Sequence, residues 1–96
     1  MRFLSLLRRA RTLIATEKLS ILPRYLEAVG VSTYEQAAKV AKEMLEKGVG
    51  AIELCGGFGV RGTDIVARAV DYSIPVGVVR FDGHPGLGGK SGDKLF

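Results

Sequence analysis

The chain has 96 residues, of which 47% are hydrophobic and 25% are charged, and its formal net charge is +4 at pH 7. These values indicate one ordinary globular domain with a modest core. The single cysteine excludes an internal disulfide, no signal peptide opens the chain, and no apolar run approaches the ~20 residues of a membrane-spanning helix, so we expect a cytoplasmic protein with no membrane contact.

The chain carries much apolar material for its length. We therefore expect a homo-oligomer that covers a sheet face or edge left open by two helices. Four arginines near the start predict either a solubilising end or contact with phosphate groups; they are Arg2, Arg8, Arg9 and Arg11. No aromatic residues are interleaved with them to stack on bases, which favours the solubilising role, and nucleic acid is not the expected partner.

The first third of the chain predicts two strands separated by an unassigned stretch. Residues 3–7 form an apolar run typical of a strand, although a helix continuing to Ile14 fits the same run. Apolar residues over 9–22 follow neither the helical nor the strand period, and Pro23 ends that stretch. Alternating residues over 25–31 predict the second strand.

A helix is the clearest prediction in the middle of the chain. Ser32 followed by Glu35 forms a capping-box pattern, in which each side chain accepts a hydrogen bond from a backbone amide at the helix start. Apolar residues then recur on one side of the helix, opposite charged residues spaced four apart; the apolar stripe is Tyr34, Ala37, Ala38, Ala41, Met44 and Leu45. Gly48 supplies the left-handed residue that ends the helix.

The second half alternates strand, helix and strand. Residues 49–54 form an apolar run typical of a strand covered on both faces, a helix over 63–71 follows with Thr63 as its cap, and 75–81 forms a last strand. This alternation predicts an α/β fold, a small two- or three-layer domain with a mostly parallel sheet of about four strands and two crossover helices, in a half-Rossmann-like arrangement. We expect the domain to span 1–81, followed by a glycine-rich C-terminal tail over 82–96 that is mobile or ordered by a partner.

The turn between the strand at 49–54 and the following helix is the predicted ligand site. Exposed amides at a helix start bind anions, so we expect a small anionic ligand at Gly56, Gly57, Phe58, Gly59, Gly62 and Thr63. The spacing of Gly57, Gly59 and Gly62 also matches a dinucleotide fingerprint, with Asp82 about 20 residues further on. The short chain, and Glu53 inside the strand, argue against a dinucleotide; the cofactor stays open and no metal is expected.

Cys55 and His84 are the pair that supports nucleophilic chemistry. Each follows a predicted strand of a parallel sheet, so both lie at the same sheet edge, and a helix start favours a thiolate. The alternative is a small buried cysteine and a loop histidine. Glu53 alternates with Cys55 and is either a third site residue or the ionic partner of Arg80, because a charge in a central strand needs a partner.

The central segments resemble a known family. The motif IELCGGFG at 52–59, Gly62 after it, the capped helix before it and PVGVVRF at 75–81 are similar to a family of short prokaryotic α/β proteins classed as a domain of unknown function. The resemblance covers 29–81, and it implies a compact α/β layer without an established activity.

Three functions stay open from these residues. The first is binding of a small anionic metabolite at the CGGFG turn. The second is a thiol enzyme that uses Cys55 with His84, and the third is a non-catalytic oligomeric or nucleic-acid-associated module. The sequence does not decide whether the protein is an enzyme.

Overall fold

The computed structural model describes residues 2–8, 16–21 and 24–96, and in these residues five strands form one sheet against which two α-helices pack. The strands are β1 (Arg2–Arg8), β2 (Thr16–Ile21), β3 (Arg24–Val31), β4 (Val49–Leu54) and β5 (Val76–Val78). The helices are α1 (Tyr34–Glu46) and α2 (Val60–Ala69).

The strand order across the sheet is β2-β3-β1-β4-β5. β1 pairs in parallel with β3 and β4, β4 pairs in parallel with β5, and β2 pairs antiparallel with β3. The α/β class and the parallel pairing are therefore confirmed. The sheet has five strands where about four were expected, because β2 forms within the unassigned stretch 9–22; the rest of that stretch lies outside the described residues.

Both helices pack against one face of the sheet. α1 connects β3 to β4, α2 connects β4 to β5, and the helices contact each other. The two crossovers step in the same direction across the sheet, and right-handed crossovers of this kind place their helices on the same face. The buried apolar side chains are Val29, Val31, Tyr34, Ala37, Val40, Ala41, Met44, Val49, Ile52, Leu54, Phe58, Val66 and Val70.

The cap of α1 lies one residue further along the chain than predicted. Thr33 is the N-cap, and its hydroxyl accepts a hydrogen bond from the Gln36 amide at 3.1 Å. The Gln36 side chain in turn accepts from the Ser32 amide at 2.8 Å. Thr33 and Gln36 thus form an arrangement close to the one predicted for Ser32 and Glu35, except that Gln36 binds the amide of the residue before the cap. Gly48, with φ of 85°, adopts the expected left-handed conformation beyond the helix end.

The start of α2 was predicted three residues too late. Gly59 is the N-cap and has no side chain to offer, whereas Thr63 lies within the first turn and donates its hydroxyl to the Gly59 carbonyl at 2.9 Å. Two amides of the first turn, those of Arg61 and Gly62, donate to Asp93, a residue far along the chain. Asp93 therefore takes the role that was predicted for Thr63. The sequence around α2 gives no sign of this, because Asp93 lies about 30 residues further along the chain.

β4 is not covered on both faces along its whole length. Val49, Ile52 and Leu54 are buried, but Glu53 is exposed. Of the two alternatives for Glu53, the ion pair with Arg80 does not form, because Arg80 pairs with Asp82 at 3.0 Å. An exposed carboxylate keeps its hydration and needs no ionic partner.

Residues 82–96 fold back onto the domain. They contain two short 3-10 turns, Pro85–Leu87 and Gly92–Lys94, and a bridge between His84 and Lys90. Gly92 is buried and Phe96 packs against the hydrophobic core. The glycine count predicted a segment with no part in a core, and these contacts contradict that expectation. The division of the chain into domains at residue 81 stays a prediction.

Candidate functional site

The carboxyl ends of β4 and β5 lie side by side at one edge of the sheet, as parallel strands require. The chain leaves β4 through a tight turn, closed by a hydrogen bond of 3.0 Å from the Phe58 amide to the Cys55 carbonyl. α2 begins directly after this turn. The predicted glycine turn is therefore present between a strand and a helix, and its surroundings decide what it can bind.

The carboxylate of Asp93 occupies the amino end of α2. Its Oδ2 accepts from the Arg61 amide at 2.9 Å, and its Oδ1 accepts from the Gly62 amide at 3.1 Å and from the Tyr34 hydroxyl at 2.9 Å. A negative charge is favoured here by the free amides and by the helix dipole. The chain thus places its own anion on these two amides, and an external anion would have to displace Asp93 to reach them.

Tyr34 links α1, the turn and Asp93. Its hydroxyl accepts from the Gly59 amide at 3.0 Å while donating to Asp93. Its ring lies 5.6 Å from the Phe58 ring in a stacked arrangement, and the Arg61 guanidinium lies 5.2 Å from the ring centre. One buried side chain therefore satisfies a backbone donor of the turn and holds the capping carboxylate in place.

The pKa values of both partners are shifted. Burial raises the pKa of Tyr34, the hydrogen bond from the Gly59 amide works in the opposite direction, and the interaction with Asp93 raises it further. Burial alone would raise the pKa of Asp93, but the hydrogen bonds from the Arg61 amide, the Tyr34 hydroxyl and the Gly62 amide together lower it. The pair is therefore an ionised carboxylate with a neutral phenol at neutral pH.

Two glycines of the fingerprint spacing, Gly59 and Gly62, are required by internal packing. A Cβ at Gly59 would collide with the Asp93 carboxylate, and a Cβ at Gly62 would lie 2.5 Å from Cζ of Tyr34. A Cβ at Gly92 would collide with the carbonyl oxygen of Gly57. These close approaches explain the glycines at 59 and 62 without a pyrophosphate.

Cys55 and His84 do come together, in a surface depression of about 310 Å³ beside the turn. The depression is lined by Cys55, Gly56, Gly57, His84, Gly86, Leu87 and Phe96. Among the residues that the structure describes, no acceptor pairs with the Gly56 or Gly57 amide. The depression therefore brings Cys55 and His84 together beside Gly56 and Gly57, and Leu87 and Phe96 add apolar residues to its lining.

The hydrogen bonding of His84 fixes what its ring can offer. Nδ1 accepts from the Gly86 amide at 2.9 Å, so the proton of the neutral ring lies on Nε2. The ring also packs against Phe81, with their centres 4.6 Å apart. In this tautomer the free edge of His84 is a hydrogen-bond donor, which suits contact with an acceptor group better than removal of a proton from a thiol.

The other predicted site residues are placed elsewhere. Gly59 and Gly62 contact Asp93 and Tyr34, Phe58 is buried, and the Thr63 hydroxyl donates to the Gly59 carbonyl. Glu53 is exposed and does not line the depression. Of the nine predicted residues, the depression brings together four, namely Cys55, Gly56, Gly57 and His84. Their functional roles stay predictions.

Sequence reasoning missed Asp93 and the hydroxyl of Tyr34. Tyr34 was assigned to the apolar stripe of α1, which is correct for its ring. Asp93 stood in a glycine-rich stretch with no periodic pattern. The local signal for order there was Ser91, whose hydroxyl accepts from the Asp93 amide at 3.2 Å and starts a 3-10 turn.

No group of three or more histidine, cysteine, aspartate or glutamate side chains in residues 2–8, 16–21 and 24–96 is arranged to hold a metal ion. In the same part of the chain, no helix has the length and apolar character needed to cross a membrane.

A family model matches residues 8–94 of the chain, and it describes a family of unknown function, DUF6506. Neither the curated proteins nor the solved structures include a match. The match confirms the expectation of an uncharacterised family, and it extends beyond the 29–81 of the sequence resemblance into the segment that carries Asp93. Since it spans most of the chain, this protein belongs to the DUF6506 family of unknown function.

Proposed function

We propose that this protein binds a small carboxylate-bearing metabolite in the depression formed by Cys55, Gly56, Gly57 and His84. The observation that carries this proposal is that His84, with its Nε2 donor, lines the same depression as Gly56 and Gly57, whose amides have no acceptor among the described residues. A carboxylate accepts hydrogen bonds from donors of both kinds. The net charge of +4 further favours an anion over a cation.

The size and lining of the depression limit the ligand. Its volume of about 310 Å³ is at the lower end for small-molecule sites, which favours a metabolite over a dinucleotide. Leu87 and Phe96 offer an apolar surface for the carbon skeleton of such a molecule. The amino end of α2 is a poorer site for the same anion, because the Asp93 carboxylate already accepts from its amides.

The test is a titration followed through backbone amide NMR shifts. The probes are acetate, benzoate and a 2-oxo acid, each compared with its uncharged primary amide. We expect the carboxylates, and not the amides, to shift the Gly56 and Gly57 signals in a saturable way at millimolar concentration. Shifts confined to Arg61 and Gly62 would place the anion on α2 instead, and an absence of saturable shifts would overturn the proposal.

The variant His84→Asn sharpens this test. An asparagine oxygen can still accept from the Gly86 amide, so the 3-10 turn keeps its cap while the donor at Nε2 is lost. We expect carboxylate affinity to fall by about tenfold or more, the usual effect of losing a hydrogen bond to a charged group. Lys42→Asn on the exposed side of α1 is the matched control and should bind as the unmodified protein does.

A thiol enzyme is the second candidate, because Cys55 lines the same depression as His84. The rate of Cys55 alkylation by iodoacetamide, measured across pH, separates this activity from binding alone. A thiolate that still reacts well below pH 7 supports an enzyme, and an ordinary thiol profile rules it out. Cytoplasmic location and the nucleic-acid-associated module stay predictions.

A further inference from the structure

The loop over residues 83–90 is held by a side chain as well as by its own backbone. The Leu87 and Gly89 amides donate to the His84 carbonyl at 3.0 and 2.9 Å. The His84 ring adds a further bond, because its Nδ1 accepts from the Gly86 amide at 2.9 Å and caps the first 3-10 turn. The hydrogen bonding of this loop therefore includes a group that can gain a proton.

The His84 ring also contacts two other parts of the domain. Its centre lies 4.6 Å from the centre of the Phe81 ring. A Cβ at Gly56 would lie 3.0 Å from Cδ2 of His84, so the ring lies directly against the turn that follows β4. His84 and Cys55 line the same depression. A movement of the ring would therefore change the shape of that depression.

The hydrogen bond from Gly86 requires a neutral imidazole. Nδ1 accepts a hydrogen bond only while it carries no proton. When the ring becomes cationic, Nδ1 is a donor that faces the Gly86 amide, which is a donor as well, and the bond is lost. Histidine side chains commonly change charge between about pH 5 and pH 8. The cap is thus present in the neutral ring and absent in the cationic one.

Other titratable side chains surround the His84 ring. Cys55 lines the same depression, and Asp82 and Lys90 lie on either side of the loop in the chain. The Asp82 carboxylate pairs with Arg80 at 3.0 Å, and Lys90 meets His84 through its carbonyl, which accepts from the His84 amide at 2.9 Å. A variant that changes His84 alone keeps all of these groups, so the effect of the ring can be separated from theirs.

We propose that His84 is a pH-sensitive switch for the loop over 83–90. The neutral ring caps the first 3-10 turn and holds its place beside the turn after β4. On gaining a proton the ring releases the Gly86 amide, and the loop and the depression change shape together. This inference concerns the loop itself and does not depend on ligand binding in the depression.

The experiment follows two NMR signals of the full chain from about pH 8 to about pH 5. The ring signals of His84, the single histidine of the chain, report the charge of the imidazole, and the Gly86 amide reports the cap. We expect the Gly86 signal to shift with the same midpoint as the ring. Its hydrogen exchange, corrected for the intrinsic effect of pH, should quicken about tenfold when the ring is charged. The Gly48 amide, which donates to the Leu45 carbonyl at the far end of β4, is the reference and should not respond.

The variant His84→Asn isolates the contribution of the ring. The asparagine oxygen accepts from the Gly86 amide without titrating, so we expect a Gly86 signal that is constant over this pH range. A Gly86 signal that shifts to the same extent in this variant would overturn the proposal, because the response would then come from Cys55, Asp82 or another group. In the unmodified protein, a ring that stays neutral down to about pH 5, or one that gains its proton while the Gly86 signal stays constant, would overturn it as well.

Discussion

Tyr34 is the residue on which the site's geometry most depends. Its ring packs in the core and its hydroxyl serves two partners, the Gly59 amide and the Asp93 carboxylate. Gly62 lies so close to the ring that only glycine fits there without displacement. This close contact predicts that Gly62→Ala changes the stability of the protein in the opposite direction from most glycine-to-alanine substitutions in helices.

Glycine to alanine within a helix normally stabilises a protein by up to ~1 kcal/mol. At Gly62 we expect the opposite sign, because the new Cβ would lie 2.5 Å from Cζ of Tyr34 and overpacking typically costs about 1–3 kcal/mol. Gly77→Ala is the matched control, since nothing lies within 4 Å of its Cβ position. Urea unfolding measures both variants. A Gly62→Ala variant as stable as the unmodified protein would show that Tyr34 moves aside easily.

The helices and strands differ in how far the sequence could predict them. α1 and β4 follow from periodic apolar residues, because their burial is set by neighbours that repeat along the element. The start of α2 does not, because its capping group is Asp93, 31 residues beyond Gly62. The candidate site could be predicted only in part, for the same reason. The shared edge of parallel strands predicted that Cys55 and His84 lie close together. The carboxylate at the start of α2 comes from Asp93, which is distant in the sequence.

The ionised Asp93 carboxylate makes the start of α2 sensitive to acid. The pKa of Asp93 is lowered in the folded state, so its stabilising effect is fully present above the pKa of an unfolded aspartate and is lost as pH falls through the lower folded value. We expect Asp93→Asn to lower the free energy of unfolding by about 1–2 kcal/mol at pH 7. This difference should disappear in acid.

Denaturant unfolding of both proteins between pH 7 and the acid range measures this dependence. Asp71→Asn, at an exposed position after α2, is the control and should show no comparable loss at pH 7. A constant difference between Asp93→Asn and the unmodified protein at every pH would contradict a role for the charge.

At the scale of the whole molecule, residues 91–96 pack against the core and against α2, although they contribute little regular structure. Gly92 packs against the carbonyl of Gly57, Asp93 caps α2, and Phe96 contacts Tyr34 with ring centres 6.4 Å apart. The glycine content of 82–96 gave no sign of this, because glycine is equally suited to a mobile segment and to close backbone contact.

A variant that ends at Lys90 tests whether residues 91–96 stabilise the fold or form an independent tail. We expect its free energy of unfolding to fall by about 2–4 kcal/mol, since the α2 amides and the Gly59–Tyr34 contact lose their partner at Asp93. Hydrogen exchange at Arg61 and Gly62 should quicken as well. Lys94→Ala in the full chain is the control for a change confined to an exposed side chain. An unchanged unfolding midpoint would restore the view of 82–96 as an independent tail.

The distance along the chain between Asp93 and its partners bears on how the protein matures during synthesis. Asp93 follows Gly62 by 31 residues and Tyr34 by 59. At a translation rate of about 5–20 residues per second, the ribosome makes Asp93 roughly 2–6 s after Gly62. During that interval the nascent α2 has no carboxylate at its first turn, so the capping of α2 waits until Asp93 has been translated.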